Sequence, residues 1–129
     1  MTHWIVDGMN VIGSRPTGWW RDRPGAMRAL AADLEAFAQS TAQPVTVVFD
    51  GRPFELQGDA LAVKFASHPG PNAADDDIAA LVERAPRPDE LTVVTSDATL
   101  ADRVRARGAG VMGARTFRRR LEGGAEDAG

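Results

Sequence analysis

Aspartates at four places in the sequence could do chemistry. Asp7 follows His3-Trp4-Ile5-Val6 and opens Asp7-Gly8-Met9-Asn10-Val11-Ile12, Asp50 follows Val45-Thr46-Val47-Val48-Phe49, Asp75-Asp76-Asp77 stand together, and Asp97 closes Leu91-Thr92-Val93-Val94-Thr95-Ser96. With no cysteine and only two histidines in the chain, any metal site must be built mainly from oxygen. Such ligands suit Mg²⁺ or Mn²⁺, which keep several waters and work beside substrate phosphates. The chemistry that follows is metal-assisted hydrolysis of a phosphodiester, with no covalent nucleophile required. Asn10 adds an amide that can orient a water or a phosphate oxygen, and Gly8 permits a tight turn.

Every one of these acids also has a structural reading. An Asp at a strand end forms turns or caps helices, and Asp in a first helical turn complements the dipole. Capping accounts for one or two of Asp75–Asp77 more readily than for three, because adjacent carboxylates repel unless a cation sits among them. Successive helical residues diverge by about 100°, so Asp75 and Asp76 are expected to face inward and Asp77 to face solvent. Ser96 or Asp97 caps the helix that begins near Ala98, and Asp97 either caps or binds metal. Asp50 and Asp102 stand as additional candidates.

The elements that must position these residues follow from the hydrophobic pattern. The three apolar, β-branched runs read as strands buried on both faces of a parallel sheet. Residues 26–38 place Met27, Leu30, Leu34 and Phe37 on one helical face, residues 75–84 place Ile78, Leu81 and Val82 on another, and Leu100 and Val104 mark a helix stopping near Gly108. Weaker strands are expected around 61–66 and 110–113. Strands alternating with helices predict an α/β fold, a three-layer α/β/α sandwich with a mostly parallel sheet. Sites in such sheets form beyond the carboxyl ends of the strands, where Asp7, Asp50 and Asp97 all fall. Residues 1–121 are expected to form one domain and 122–129 a flexible acidic tail.

The 129 residues suffice for one core, and 43% apolar, 26% charged and 6% aromatic residues exclude disordered, collagen-like and membrane classes. No run reaches the ~20 apolar residues of a membrane span and no secretory signal opens the chain, so a cytoplasmic protein is expected. The absence of cysteine excludes disulfides, a thiolate nucleophile and Fe–S clusters. The net charge of −3 argues against a uniformly basic nucleic-acid binder. Yet residues 70–102 hold eight acids against two arginines, while Arg103, Arg105, Arg107, Arg115, Arg118, Arg119 and Arg120 follow without an acid among them. Carboxylates for a metal beside arginines for phosphates suit an enzyme acting on a polyanion. Arg15, Arg21 and Arg23 surround Trp19-Trp20 in the loop after the first strand and form with them a candidate surface for stacking and phosphate contact, the alternative being at least one Trp packed under the following helix. Arg118, Arg119 and Arg120 either hold phosphates or decorate a solvated helix, and His3 and His68 read as structural or incidental.

Taken in order, Ile5-Val6-Asp7-Gly8-Met9-Asn10-Val11-Ile12-Gly13, Val47-Val48-Phe49-Asp50-Gly51, Ala74-Asp75-Asp76-Asp77-Ile78, Val93-Val94-Thr95-Ser96-Asp97, Gly108-Ala109 and Thr116-Phe117 resemble the NYN domain of the PIN-like nuclease superfamily, most closely its small bacterial YacP-like branch. The resemblance implies a PIN-like fold and a divalent-metal-dependent endoribonuclease leaving 5′-phosphate and 3′-hydroxyl ends. It implies Asp7, Asp75, Asp76 and Asp97 as catalytic metal-site residues, Asn10 as their polar partner, and RNA, with the ribosome as one way of presenting it, as substrate. Some relatives carry a further acid four residues after the Asp97 position, where this chain has Ala101, and Asp102 lies about 100° further round the helix. That departure keeps open a second reading, a PIN-like RNA-binding or ribosome-associated adaptor with weak or no catalysis. A phosphomonoesterase shares the metal logic but leaves the arginines around Phe117 unused. No G-x-G-x-x-G follows the first strand, which disfavours a nicotinamide-binding domain.

Overall fold

In the computed structural model, residues 2–15, 17–70 and 72–123 are described. They form β1 (His3–Asp7), α1 (Gly8–Gly13), α2 (Arg23–Thr41), β2 (Val45–Phe49), β3 (Leu61–Phe65), α3 (Ala73–Arg84), β4 (Leu91–Val94), α4 (Ala98–Arg105), β5 (Gly110–Met112) and α5 (Ala114–Gly123), with 3₁₀ turns at Trp19–Arg21 and Pro88–Glu90. All four strand pairings are parallel and the order is β3-β2-β1-β4-β5. The chain winds outward from β1 to β3, then returns to place β4 on the other side of β1. That return makes the β1–β4 boundary the topological switch point of the sheet. In register, Val6 faces both Val47 and Val94, so the residues that follow all three emerge along one edge.

Alternation along the strands separates two cores. Trp4, Val6, Val47 and Phe49 pack beneath α1, α2 and α5, with Leu30, Leu34 and Phe117 fully buried against them. Ile5, Val48 and Val93 pack beneath α3 and α4 against Ile78, Val82, Leu100 and Val104. The expected three-layer sandwich and both weaker strands are therefore present.

Three local features differ from the sequence reading. Helix α2 begins before residue 26, because Asp22 accepts a hydrogen bond from Gly25 N at 3.0 Å and Pro24 sits in the first turn, where its missing N–H costs nothing. The segment after β1 is helical from Gly8 onward. Glycine is required there for space: a Cβ on Gly8 would overlap the Phe49 ring and come within 3.1 Å of Val47 Cγ2. Helix α5 runs through Gly123, and Glu122, assigned from sequence to the tail, pairs with Arg15. Residues 124–129, the remainder of that expected tail, lie outside the described residues. Among the described residues no helix is long and apolar enough to cross a membrane.

Candidate active site

At the carboxyl edge of the sheet, Asp7, Asn10, Asp50, Asp75 and Asp97 line a single cavity of about 210 Å³, completed by Met9 and Asn72. Each arrives from a different element: the end of β1, α1, the end of β2, the first turn of α3, and the N-terminus of α4.

Asp7 is the innermost. It is 4% exposed, and its Oδ2 accepts a hydrogen bond from Thr95 Oγ1 at 3.1 Å. Burial, followed by repulsion from Asp75, pushes its carboxyl up to about 7, against the opposing pull of the Thr95 hydroxyl and the Asn10 backbone N–H. Asp75 is also raised, by burial first and then by repulsion from Asp97, Asp50 and Asp76. Thr95 itself is buried, and its Oγ1 also accepts from Asp97 N at 3.1 Å, so one hydroxyl joins two of the acids.

Three residues with a structural alternative turn out to combine roles. Asp97 caps α4, its Oδ1 accepting from Leu100 N at 2.9 Å, while its side chain also borders the cavity. Asp50 reaches across from β2 to the start of α3, where its Oδ1 accepts from Ala74 N at 2.9 Å. One free N–H in the first turn of α3 is thus satisfied by Asp50 rather than by Asp75. Asn10 Oδ1 accepts from Ser96 N at 2.8 Å. Because a backbone N–H can only donate, the amide oxygen is committed and the NH₂ group is the part of Asn10 left to offer a donor.

The neighbours of Asp75 depart from the expected inward pair. Asp76 does not line the cavity: it is exposed and pairs with Arg103 at 3.1 Å and His68 at 3.5 Å. Asp77 is not simply solvated, since its carboxylate accepts from Ser67 N at 2.6 Å and Ser67 Oγ at 2.7 Å, fastening the β3–α3 loop. The phase of α3, which begins at Ala73, turns Asp75 rather than Asp76 toward the acids. Asp102 is exposed on α4 and outside the cavity, one helical step beyond the buried Ala101. Among the described residues no three His, Asp or Glu side chains are drawn into a ready-made coordination sphere. The donor chemistry nonetheless fits a hard divalent ion, because the cavity wall carries four carboxylates and no basic side chain.

The surface residues sort differently from expectation. Arg118 is folded down onto α1 and α2: it donates to Val11 O at 3.4 Å, lies 3.7 Å from Asp33, and its Nε is buried without a partner. Its guanidinium is therefore part of the scaffold rather than a free phosphate contact. Arg15 is engaged by Glu122, Trp19 is partly buried against the core, Arg21 is exposed, and Arg119 is exposed with a 3.5 Å contact to Thr116 Oγ1. Trp20, the other half of the expected stacking pair, is the exposed large hydrophobic among the described residues, at 59%. Arg23 lies over the Trp19 ring at 5.8 Å. Arg23 belongs to the loop expected to grip substrate, whereas Thr95 and Arg52 carry no functional expectation from sequence; the Thr95-Ser96-Asp97 run at a strand end is the available signal for the first.

A parallel α/β/α sandwich gathering carboxylates at its switch point defines a nuclease-fold domain of the PIN-like type. The chain belongs to the YacP-like NYN domain family, whose family model matches residues 4–128. Its fold is similar to the crystal structure of Rae1 (YacP) from Bacillus subtilis, with a TM-score of 0.75 and 25% identity over 95% of this chain and 74% of that one. A mutant of Rae1 gives a TM-score of 0.78 and 26% identity over 95% of this chain and 76% of that one. A comparison with curated proteins finds no match.

Proposed function

We propose that the chain is a divalent-metal-dependent endoribonuclease. The observation that carries this reading is the convergence of Asp7, Asp50, Asp75 and Asp97 on one cavity, with the Asp7 and Asp75 carboxyls both raised by burial first and then by repulsion from neighbouring acids. Asp7, Asp75 and Asp97 would hold Mg²⁺ or Mn²⁺, with the Asp50 oxygen not bonded to Ala74 as a further donor. When bound, such an ion supplies Lewis-acid polarisation of the phosphate and acidifies the attacking water. The chain's own residues do the positioning. Thr95 fixes the Asp7 carboxylate, Ser96 N fixes Asn10, and the Asn10 NH₂ is then directed to a phosphate oxygen. Asp76 acts outside the cavity, tying α3 to α4 through Arg103. The family points to RNA as the polymer, in the cytoplasm, with ribosome-bound RNA as one candidate form.

The test is incubation of single-stranded and structured RNA with Mg²⁺, Mn²⁺ or EDTA. Cleavage is expected with metal only and is expected to disappear in Asp7→Asn and Asp97→Asn. Asparagine retains the cap acceptor at 97, so loss of activity there reports the missing carboxylate rather than an unravelled α4. Cleavage that survives EDTA, or that both variants retain, overturns the reading. The adaptor reading draws on Ala101 and on the spread of the carboxylates, and RNA bound but intact with every metal would select it.

A further inference from the structure

Beside the acidic cavity runs a larger groove of about 690 Å³, whose wall includes Arg23, Arg52, His68, Gly51 and Pro53. The groove and the cavity share Met9 and Asp50, so a ligand leaving one enters the other directly. On the opposite flank the cavity shares Met9 and Asn10 with a third hollow bordered by Ser96, Arg115 and Thr116. The acids therefore occupy the middle of a track open at both ends. We propose that the Arg23–Arg52 groove is a nucleotide subsite that holds the unpaired RNA strand on one side of the bond to be cut; the identity of the strand rests on the ribonuclease reading.

Three observations carry the proposal. The groove's volume falls within the ~300–1,000 Å³ that encloses small organic ligands, and its wall joins apolar surface to two guanidinium groups, the combination a base and its phosphates need. Arg23 is pre-set: it stacks on Trp19 at 5.8 Å, and its Nη2 donates to Asp50 O at 3.5 Å. Finally, the charge order along the track is functional in itself. The carboxylates repel a polyanion, so cations displaced to the flank must supply the grip.

Fluorescence anisotropy of a labelled single-stranded RNA oligonucleotide, titrated in EDTA, reads this groove independently of catalysis. Arg23→Ala combined with Arg52→Ala is expected to weaken binding about tenfold and to flatten the log–log salt dependence by roughly 1.4, at about 0.7 per lost single-strand phosphate contact. Arg87→Ala, before β4 at the opposite edge of the sheet, is expected to bind as the wild type does. Arg52→Glu alone changes only an exposed side chain, so it keeps the test valid if the double variant misfolds, and it is expected to weaken binding as well. Wild-type affinity and salt slope in both variants overturn the proposal, whether or not the protein cuts RNA. If the variants lose binding while wild-type protein cuts RNA without any metal, the subsite stands and the metal-nuclease reading falls.

Discussion

Thr95 has two partners, the Asp7 carboxylate and the Asp97 backbone, and a valine of similar shape would remove both bonds without emptying the space. Thr95→Val is therefore expected to lower metal-dependent cleavage about 10–100-fold, the range for groups that orient a metal ligand, and Thr95→Ser to restore most of it. Steady-state kinetics alongside thermal melts check that activity falls further than folding does. Asp7 makes a separate statement about pH. Its folded carboxyl titrates near 7 against an ordinary value of 3.8, so between about pH 4 and 7 the folded chain holds a proton that the unfolded chain has released. Stability is thus present at low pH and declines as pH rises through that window, by as much as a few kcal/mol, levelling above 7. Urea titrations of the metal-free protein from pH 4.5 to 8 should show this slope, and Asp7→Asn should flatten it. An unchanged slope in that variant would place the titrating group elsewhere.

At the scale of elements, α1 sits so close to β2 that residue 8 has no room for a side chain. Gly8→Ala is expected to destabilise the fold by about 1–3 kcal/mol through overpacking against Phe49, despite alanine's better helix propensity. Equilibrium urea unfolding measures it, and a neutral or stabilising result would show that Phe49 yields. The same element marks a limit of reading from sequence. Gly8-Met9-Asn10 contains two poor helix formers directly after a strand, so local propensity reads as a turn. The helix exists because Val11 and Ile12 are buried in the core under α2 and α5. The strands were legible because runs such as Val45–Phe49 are β-branched or aromatic throughout and almost wholly apolar, as a sheet covered on both faces requires. Which of Asp75 and Asp76 turns inward depended on the phase of α3, set by a start at Ala73 and by Asp50 reaching over from β2. No local pattern near residue 75 carries that information. The place of Arg118 is hidden for a related reason, since an arginine beside Phe117 reads as surface until α5 is docked on α1 and α2.

For the whole molecule, the site's acids are drawn from β1, β2, α3 and α4, so an ion that joins them would also join the two halves of the sheet about its switch point. Millimolar Mg²⁺ or Mn²⁺ is expected to raise the melting temperature, and to raise it more at pH 8 than at pH 6, because a protonated Asp7 must release its proton before ligating. Differential scanning fluorimetry across both pH values tests this, and equal shifts would remove Asp7 from the ligand set. The carboxyl edge itself was readable from three strand-ending aspartates, whereas Thr95 and the Arg23 groove emerge only once distant segments meet. The bond between Ala74 N and Asp50 Oδ1 has a spectroscopic consequence as well. A single backbone amide, fully buried at the head of α3, is wired to one oxygen of the acidic wall. Its proton resonance and its rate of exchange with deuterium should therefore report the charge state of that wall from within the helix, giving a native probe of ion binding that needs neither substrate nor label.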